Sequence, residues 1–416
     1  MNPTWAAYRA LCAVAGALAP AAAWAMPRDQ RARWNERLGR ASVPTPAHAW
    51  IHAASMGEAV AAGALVSELR RRSPGARFHF TATTLTGRER LARLGPVSLA
   101  PLDSPQATAC FFASVRPRRL FVLETELWPH WLLRARRDDV PVAILSARLS
   151  ARSLARLHWL GGELQSLVSG LEAVLCQSDD DRARWLALGA RPDRTRVVGN
   201  LKLDALPVAA SDRPRARRAL GLDPDRPLLV LASLRPGEAK ALAEAWRRLP
   251  EALRARWQVV AVPRHVRASA ALREEARGAG VTWGNCAVPA REVWRWDDGA
   301  GVLAYYYPVC DAAFVGGSLE PYGGHNPLEP ASCGVPILMG PHNDSQQQAV
   351  RALDASGGLR VTEPGEALAS ALATLLGDDA DRARRGEAAR GAIVAMQGVA
   401  RRAADRLEEW KLWPVS

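Results

Sequence analysis

At 416 residues the chain is too long for one compact core, so two domains are expected. Its net charge of +13 points to an anionic partner (a phospholipid surface, a phosphorylated substrate or nucleic acid) and fits a GC-rich coding sequence equally well, since Arg and Ala abound throughout. No zinc finger, helix-turn-helix or RRM-like aromatic ladder is present, which disfavours nucleic acid, and the absence of CxxC and HExxH spacings argues against a zinc site.

Residues Trp5 to Met26 are apolar and Ala-rich, interrupted by Arg9 and Pro20. Ala23-Trp24-Ala25 mimics a signal-peptide cleavage site. The segment also approaches the minimum length of a membrane span, and Arg28, Arg31, Arg33, Arg37 and Arg40 follow at once, as on the cytoplasmic side of an anchor. Cys12, Cys110, Cys176, Cys286, Cys310 and Cys333 lie mostly in apolar contexts and read as buried hydrophobes in a reducing compartment. The anchor therefore fits better than an exported chain.

Strand signals follow at Ala49 to Ala53, Phe78 to Thr83, Arg119 to Leu123, Val140 to Leu145, Val174 to Gln177 and Arg196 to Gly199. Ser55 to Glu58 reads as a turn. Ala59 to Arg72 has helical periodicity, and Thr84, Thr86 and Gly87 cap a helix over Arg88 to Leu94. The pattern restarts at Pro227. Leu228 to Ala232 is a strand, Glu238 to Leu249 a helix, and Trp257 to Val262 a strand ending in Pro263-Arg264-His265. Trp283 to Ala300 reads as an irregular, tryptophan-bearing stretch. Val302 to Val309 and Ala312 to Val315 lead into a glycine loop, and Asp379 to Trp410 is helical and expected to fold back on the first half. Alternating strands and helices imply two doubly wound α/β halves, joined near Asp204 to Pro214 and facing each other across a cleft.

The glycine loop is the most informative segment. Phe314 to His342 runs from a buried strand through Gly316-Gly317 and Gly323-Gly324 into His325-Asn326-Pro327-Leu328-Glu329, before a second strand at Val335 to Met339. Asn326 reads as an N-cap and Pro327 as the first helical residue, so the free N–H groups there would face an anion and Glu329 would accept from ligand hydroxyls. Two glycine pairs with an Asn, a His and a first-turn Glu favour a ligand site over mere turn geometry.

Other polar residues fall at strand ends: Glu58, Thr84, Glu124, Lys202, Ser233 and Arg264. Singly, each is an ordinary loop residue of an α/β protein; as a set they outline a site. Glu58 suits a general base, or simply compensates a helix dipole. Glu124 and Glu126 flank Thr125, and only one of the two carboxylates is expected to enter the cleft. Lys202 would stabilise charge on a leaving phosphate, and Arg264 is a natural phosphate fork.

Several runs together carry a resemblance: His52-Ala53-Ala54-Ser55-Met56-Gly57-Glu58, Thr81-Ala82-Thr83-Thr84-Leu85-Thr86-Gly87, Glu124-Thr125-Glu126-Leu127-Trp128-Pro129, Ala147 to Ser153, Gly199-Asn200-Leu201-Lys202-Leu203-Asp204, Val262-Pro263-Arg264-His265 and the glycine loop. In this order they resemble the Kdo (3-deoxy-D-manno-octulosonic acid) transferases of lipopolysaccharide biosynthesis. The resemblance implies a GT-B fold of two Rossmann-like domains with a membrane-associated N-terminal helix. It implies an inverting, metal- and cofactor-independent transfer of Kdo from CMP-Kdo to a lipid A precursor, lipid IVA, at the cytoplasmic face of the inner membrane. The general base then falls on Glu58 and the transition-state stabilisers on Glu124 and Lys202. CMP contacts fall on Pro263 and Arg264, on Gly301, Val302 and Leu303, and on Asn326, Pro327, Leu328 and Glu329. The implied organisation is an anchor over 1–26, an acceptor domain over 27–205, a donor domain over 206–395, and a helix over 396–416 returning to the first domain. An anionic membrane surface is an implied partner; nucleic acid is not.

Two stretches depart from the family pattern. Ser233-Leu234-Arg235-Pro236-Gly237-Glu238 stands where the family has Ser-Thr-His-x-Gly-Glu, and Asp298-Gly299-Ala300-Gly301-Val302-Leu303 where it has Gly-Asp-Thr-x-Gly-Glu-Leu. They leave two rival readings, a non-catalytic membrane-bound relative and a transferase of the same fold using another nucleotide sugar.

Overall fold

The computed structural model describes residues 2–41, 46–284 and 293–413. The chain forms two compact units, Met1–Ala205 with Gly398–Ser416, and Leu206–Gln397. Each is built on a seven-stranded, wholly parallel sheet. The central strands read as continuous apolar runs because helices cover both faces of such a sheet.

In the first unit the strands are β1 (Ala49–His52), β2 (Phe78–Ala82), β3 (Val97–Leu99), β4 (Leu120–Leu123), β5 (Val142–Ala147), β6 (Ala173–Cys176) and β7 (Thr195–Val197). Their order is β3-β2-β1-β4-β5-β6-β7, so the winding reverses between β1 and β4. Ser55 to Glu58 is not a separate turn: Ser55 caps the helix Met56–Arg72, which places Glu58 in its first turn and Arg70 to Arg72 in its last, as the helix dipole favours. The helix Val399–Glu409 completes this unit. Its Val399, Ala403 and Leu407 lie in one core with Ile51 and Phe80, and the Asp204 carboxylate accepts from Gly398 N (2.8 Å) and Ala400 N (2.7 Å).

In the second unit β8 (Leu228–Leu234), β9 (Gln258–Pro263), β10 (Thr282–Gly284), β11 (Val293–Trp296), β12 (Ala312–Val315), β13 (Ile337–Met339) and β14 (Leu359–Val361) are ordered β10-β11-β9-β8-β12-β13-β14. The reversal lies between β8 and β12. The tryptophan-bearing stretch is not wholly irregular, because β11 and the end of β10 lie in it; Trp294 is buried in the core beside Trp246. Cys286 falls outside the described residues. Asp379 to Trp410 is two helices, Asp379–Met396 in the second unit and Val399–Glu409 in the first, parted at Gly398 with φ +79°. That angle favours glycine and ends a helix.

Candidate active site

The first cluster stands at the carboxyl ends of β1 and β4, the reversal point where ligands bind in open parallel sheets. Glu58 is buried. Its Oε2 accepts from Ala54 N and its Oε1 from the Ser55 hydroxyl, both at 2.8 Å. Burial pushes its proton affinity up; the bonds from Ser55 and Ala54 pull against it, while the Glu124 charge adds to the rise. A carboxylate fixed in this way keeps spare lone pairs and holds a proton above its ordinary range, which suits a general base.

Glu124 and Glu126 lie beyond the end of β4. The chain leaves β-conformation at Glu124 (φ 60°), so strand periodicity no longer applies. Both carboxylates, not one of them, join the Glu58 cluster. Glu124 pairs with Lys202, and Glu126 Oε2 stands 3.9 Å from Nε2 of the fully buried His52. That imidazole holds the Glu126 carboxyl below its ordinary range. Trp50 Nε1 donates to Thr81 Oγ1 (2.7 Å), and Thr81 Oγ1 and His52 Nδ1 are hydrogen-bonded to each other (2.9 Å).

Lys202 is not a lone surface cation. Its backbone N donates to Asn200 Oδ1 (2.9 Å), and the neighbouring Leu201 N donates to the Ser146 hydroxyl (3.2 Å). Ser146 is itself buried with φ 52°, at a break in the β5–β6 register. Such strain persists only where the surroundings hold it. A Cβ at Gly57 would lie 3.6 Å from Lys202 Cε, which sets the lysine beside the start of the Met56–Arg72 helix.

In the second unit a cavity of about 890 Å³ opens at the carboxyl ends of β8, β9 and β12. Pro263, Arg264, Gly301, Val302, Leu303, Asn326 and Glu329 line it, together with His265, Arg267, Tyr307 and His325; Pro327 and Leu328 do not. Burial pushes Glu329 up. Burial, helped by Arg264, Arg235 and His265, pushes His325 down to about 4, so it enters neutral solution uncharged. Exposed Arg264 and Arg267 supply positive charge.

The glycine loop differs from the expected anion cradle. The N–H groups just after β12 are spent within the protein. Gly317 N (2.7 Å), Ser318 N (2.9 Å) and Leu319 N (3.0 Å) all donate to the fully buried Glu238 carboxylate, which also accepts from Arg235 N (2.8 Å). Gly317 to Leu319 therefore offer no N–H group to a ligand. The helix begins at Leu328 with Pro327 before it, and Asn326 still caps it with its side chain: Oδ1 accepts from Leu328 N (3.1 Å), and Nδ2 donates to Glu329 Oε1 (3.3 Å).

A family model described as 3-deoxy-D-manno-octulosonic-acid transferase matches residues 32–205. A 3-deoxy-D-manno-octulosonic acid transferase of Bordetella pertussis is 37% identical over 397 residues, covering 91% of each chain. The chain belongs to the Kdo transferase family. It is thus a glycosyltransferase of lipopolysaccharide biosynthesis. A Haemophilus influenzae Kdo transferase is 32% identical over 91% of this chain and 92% of its own. A UDP-GlcNAc 2-epimerase from Neisseria meningitidis, crystallised with UDP-GlcNAc, matches with a TM-score of 0.60 over 87% of this chain and 99% of its own; at 13% identity this likeness concerns the fold alone, of GT-B type. Sequence reasoning about this Kdo transferase missed His52, Ser146 and Glu238 as parts of the clusters. A His within the run ending in Glu58, and a Glu opening the helix after β8, were the available signals.

Proposed function

We propose that the chain transfers Kdo from CMP-Kdo to lipid IVA, with inversion at the anomeric carbon, at the cytoplasmic face of the inner membrane. The observation that carries this reading is Glu58, a buried carboxylate held by two hydrogen bonds with its proton affinity raised. The acceptor hydroxyl oxygen attacks the anomeric carbon and its proton passes to Glu58. The bond from that carbon to the phosphate oxygen breaks, and CMP leaves with the electron pair. Glu124 and Lys202 set the charge around Glu58. In the second unit Arg264 holds the phosphate, Pro263 and the Gly301 to Leu303 backbone receive the base, and Asn326 and Glu329 bind ribose hydroxyls, with Pro327 and Leu328 shaping their loop. The family membership, the cavity's size and its arginines support this donor side.

Glu58→Gln tests the assignment. With CMP-Kdo and lipid IVA, turnover is expected to fall about 10²- to 10⁴-fold at unchanged melting temperature, the usual contribution of a general base. Near-normal turnover in the folded variant would sink it. Thermal shifts with CMP, UMP and UDP test the donor: stabilisation by CMP is expected, and a uridine preference overturns it.

A further inference from the structure

The helix Pro3–Ala25 is the one candidate membrane span among the described residues, judged by length and composition. Its 23 residues reach about 34 Å, enough to cross a hydrocarbon core of about 30 Å. Yet the first unit grips it from end to end. Asn2 N donates to Glu163 Oε1 (2.9 Å) and Asn2 Nδ2 to Trp159 O (3.3 Å). Trp5 is buried in the same core as Trp50. Tyr8 Oη donates to Asp103 Oδ2 (2.5 Å). A Cβ at Gly16 would lie 2.5 Å from Ser104 and Gln106, and Ala19 and Ala23 pack on Leu38. Positions 5, 8, 16, 19 and 23 are three, eight, three and four residues apart, each close to whole helical turns, so they form one stripe along the helix.

The other side of the helix is apolar and uncovered: Leu11 is 70% exposed, Leu18 63% and Trp24 77%. Trp159, 75% exposed, stands at the far end, just after the helix Ala151–His158, which buries none of its residues. Arg9 on this helix, Arg28 and Arg33 on the helix that follows it, and Arg152 and Arg156 on the helix Ala151–His158 are exposed, and the Arg31 guanidinium lies 6.0 Å from the Trp24 ring centroid. A helix with exposed leucines, an exposed tryptophan at each end and exposed arginines on it and on the helices next to it matches an anionic bilayer surface. Turned across the bilayer, it would break the contacts at Asn2, Tyr8 and Gly16 or draw Asp103 and Ser104 into hydrocarbon, where unpaired polar groups are costly.

We propose that Pro3–Ala25 lies in the plane of the membrane interface, seated on the first unit, with Leu11, Leu18, Trp24 and Trp159 immersed among anionic lipids and both helix ends on one side. This rests on the membrane-surface part of the reading above. The full chain is to be floated with vesicles of phosphatidylethanolamine and phosphatidylglycerol. Binding is expected, falling at least about tenfold in the double variant L11E/L18E without loss of thermal stability. Cysteines introduced by Thr4→Cys and Arg28→Cys are then labelled with an impermeant maleimide in sealed inverted membranes and located by peptide mass. Labelling of both from the cytoplasmic side is expected. Opposite sidedness would show a span and overturn the in-plane placement while leaving membrane association intact. Absence of vesicle binding would overturn the membrane reading as well. A lipid-free dimer that L11E/L18E dissociates would assign the face to a second copy and overturn the proposal.

Discussion

Glu58 sits between charges of opposite effect, and the balance sets where it can act. Its folded proton affinity lies above the ordinary 4.5, chiefly through burial, and the neighbouring Glu124 charge raises it further. Because the folded form binds the proton more tightly, the stability this group contributes is full below its unfolded value near 4.5 and is lost as pH rises through the folded value. The same shift moves the acid limb of the pH–rate profile upward, since only the ionised base accepts a proton. Glu124→Gln removes a like charge and is expected to move the acid limb of kcat/KM to lower pH. Lys202→Met strips Glu124 of its partner and is expected to move it to higher pH. Profiles that keep one midpoint in both active variants would show that the Glu124–Lys202 pair does not tune Glu58.

The strand–turn–helix elements were legible where pattern suffices. The buried strands and the position of Glu58 after β1 follow from apolar runs and from a Ser three residues before a Glu. Legibility failed where a residue's partner lies far along the chain. The glycine loop reads locally as an anion cradle, but its anion is Glu238, some 80 residues earlier, brought to it because β8 and β12 pair. Strand periodicity could not place Glu124 and Glu126, because β4 ends at Leu123 and Glu124 is left-handed. The loop's glycines are thus structural. A Cβ at Gly316 would stand 2.7 Å from Glu238 Oε2, 2.8 Å from Ser233 O and 3.0 Å from Ala232 O. Two of those atoms are backbone and cannot swing aside. Gly316→Ala is expected to cost about 1–3 kcal/mol, and Glu238→Gln, which turns an amide toward a ring of donors, a similar amount or more. Urea unfolding measures both; a loss below about 0.5 kcal/mol, the range of ordinary surface substitutions, would refute the buried-carboxylate account.

At the scale of the whole chain, the two units differ in continuity. The second is one uninterrupted run, Leu206–Gln397, whereas the first needs residues from both ends of the chain. Val399, Leu407 and Trp413 are almost fully buried in the first unit's core, and the Trp413 ring stacks on Phe78 at 5.6 Å. Each large apolar side chain so buried is worth about 1.5–3 kcal/mol. Removing three of them, with the Asp204 cap contacts, takes away about 5–10 kcal/mol, comparable to the whole stability of a typical domain at about 5–15 kcal/mol. A chain ending at Gln397 is therefore expected to lose the unfolding transition of the first unit and all transferase activity. Residues 206–397 expressed alone are expected to unfold in one cooperative transition. Differential scanning calorimetry of the full chain and both fragments checks this, and a 1–397 chain that keeps every transition of the intact protein would show that the returning helix is dispensable.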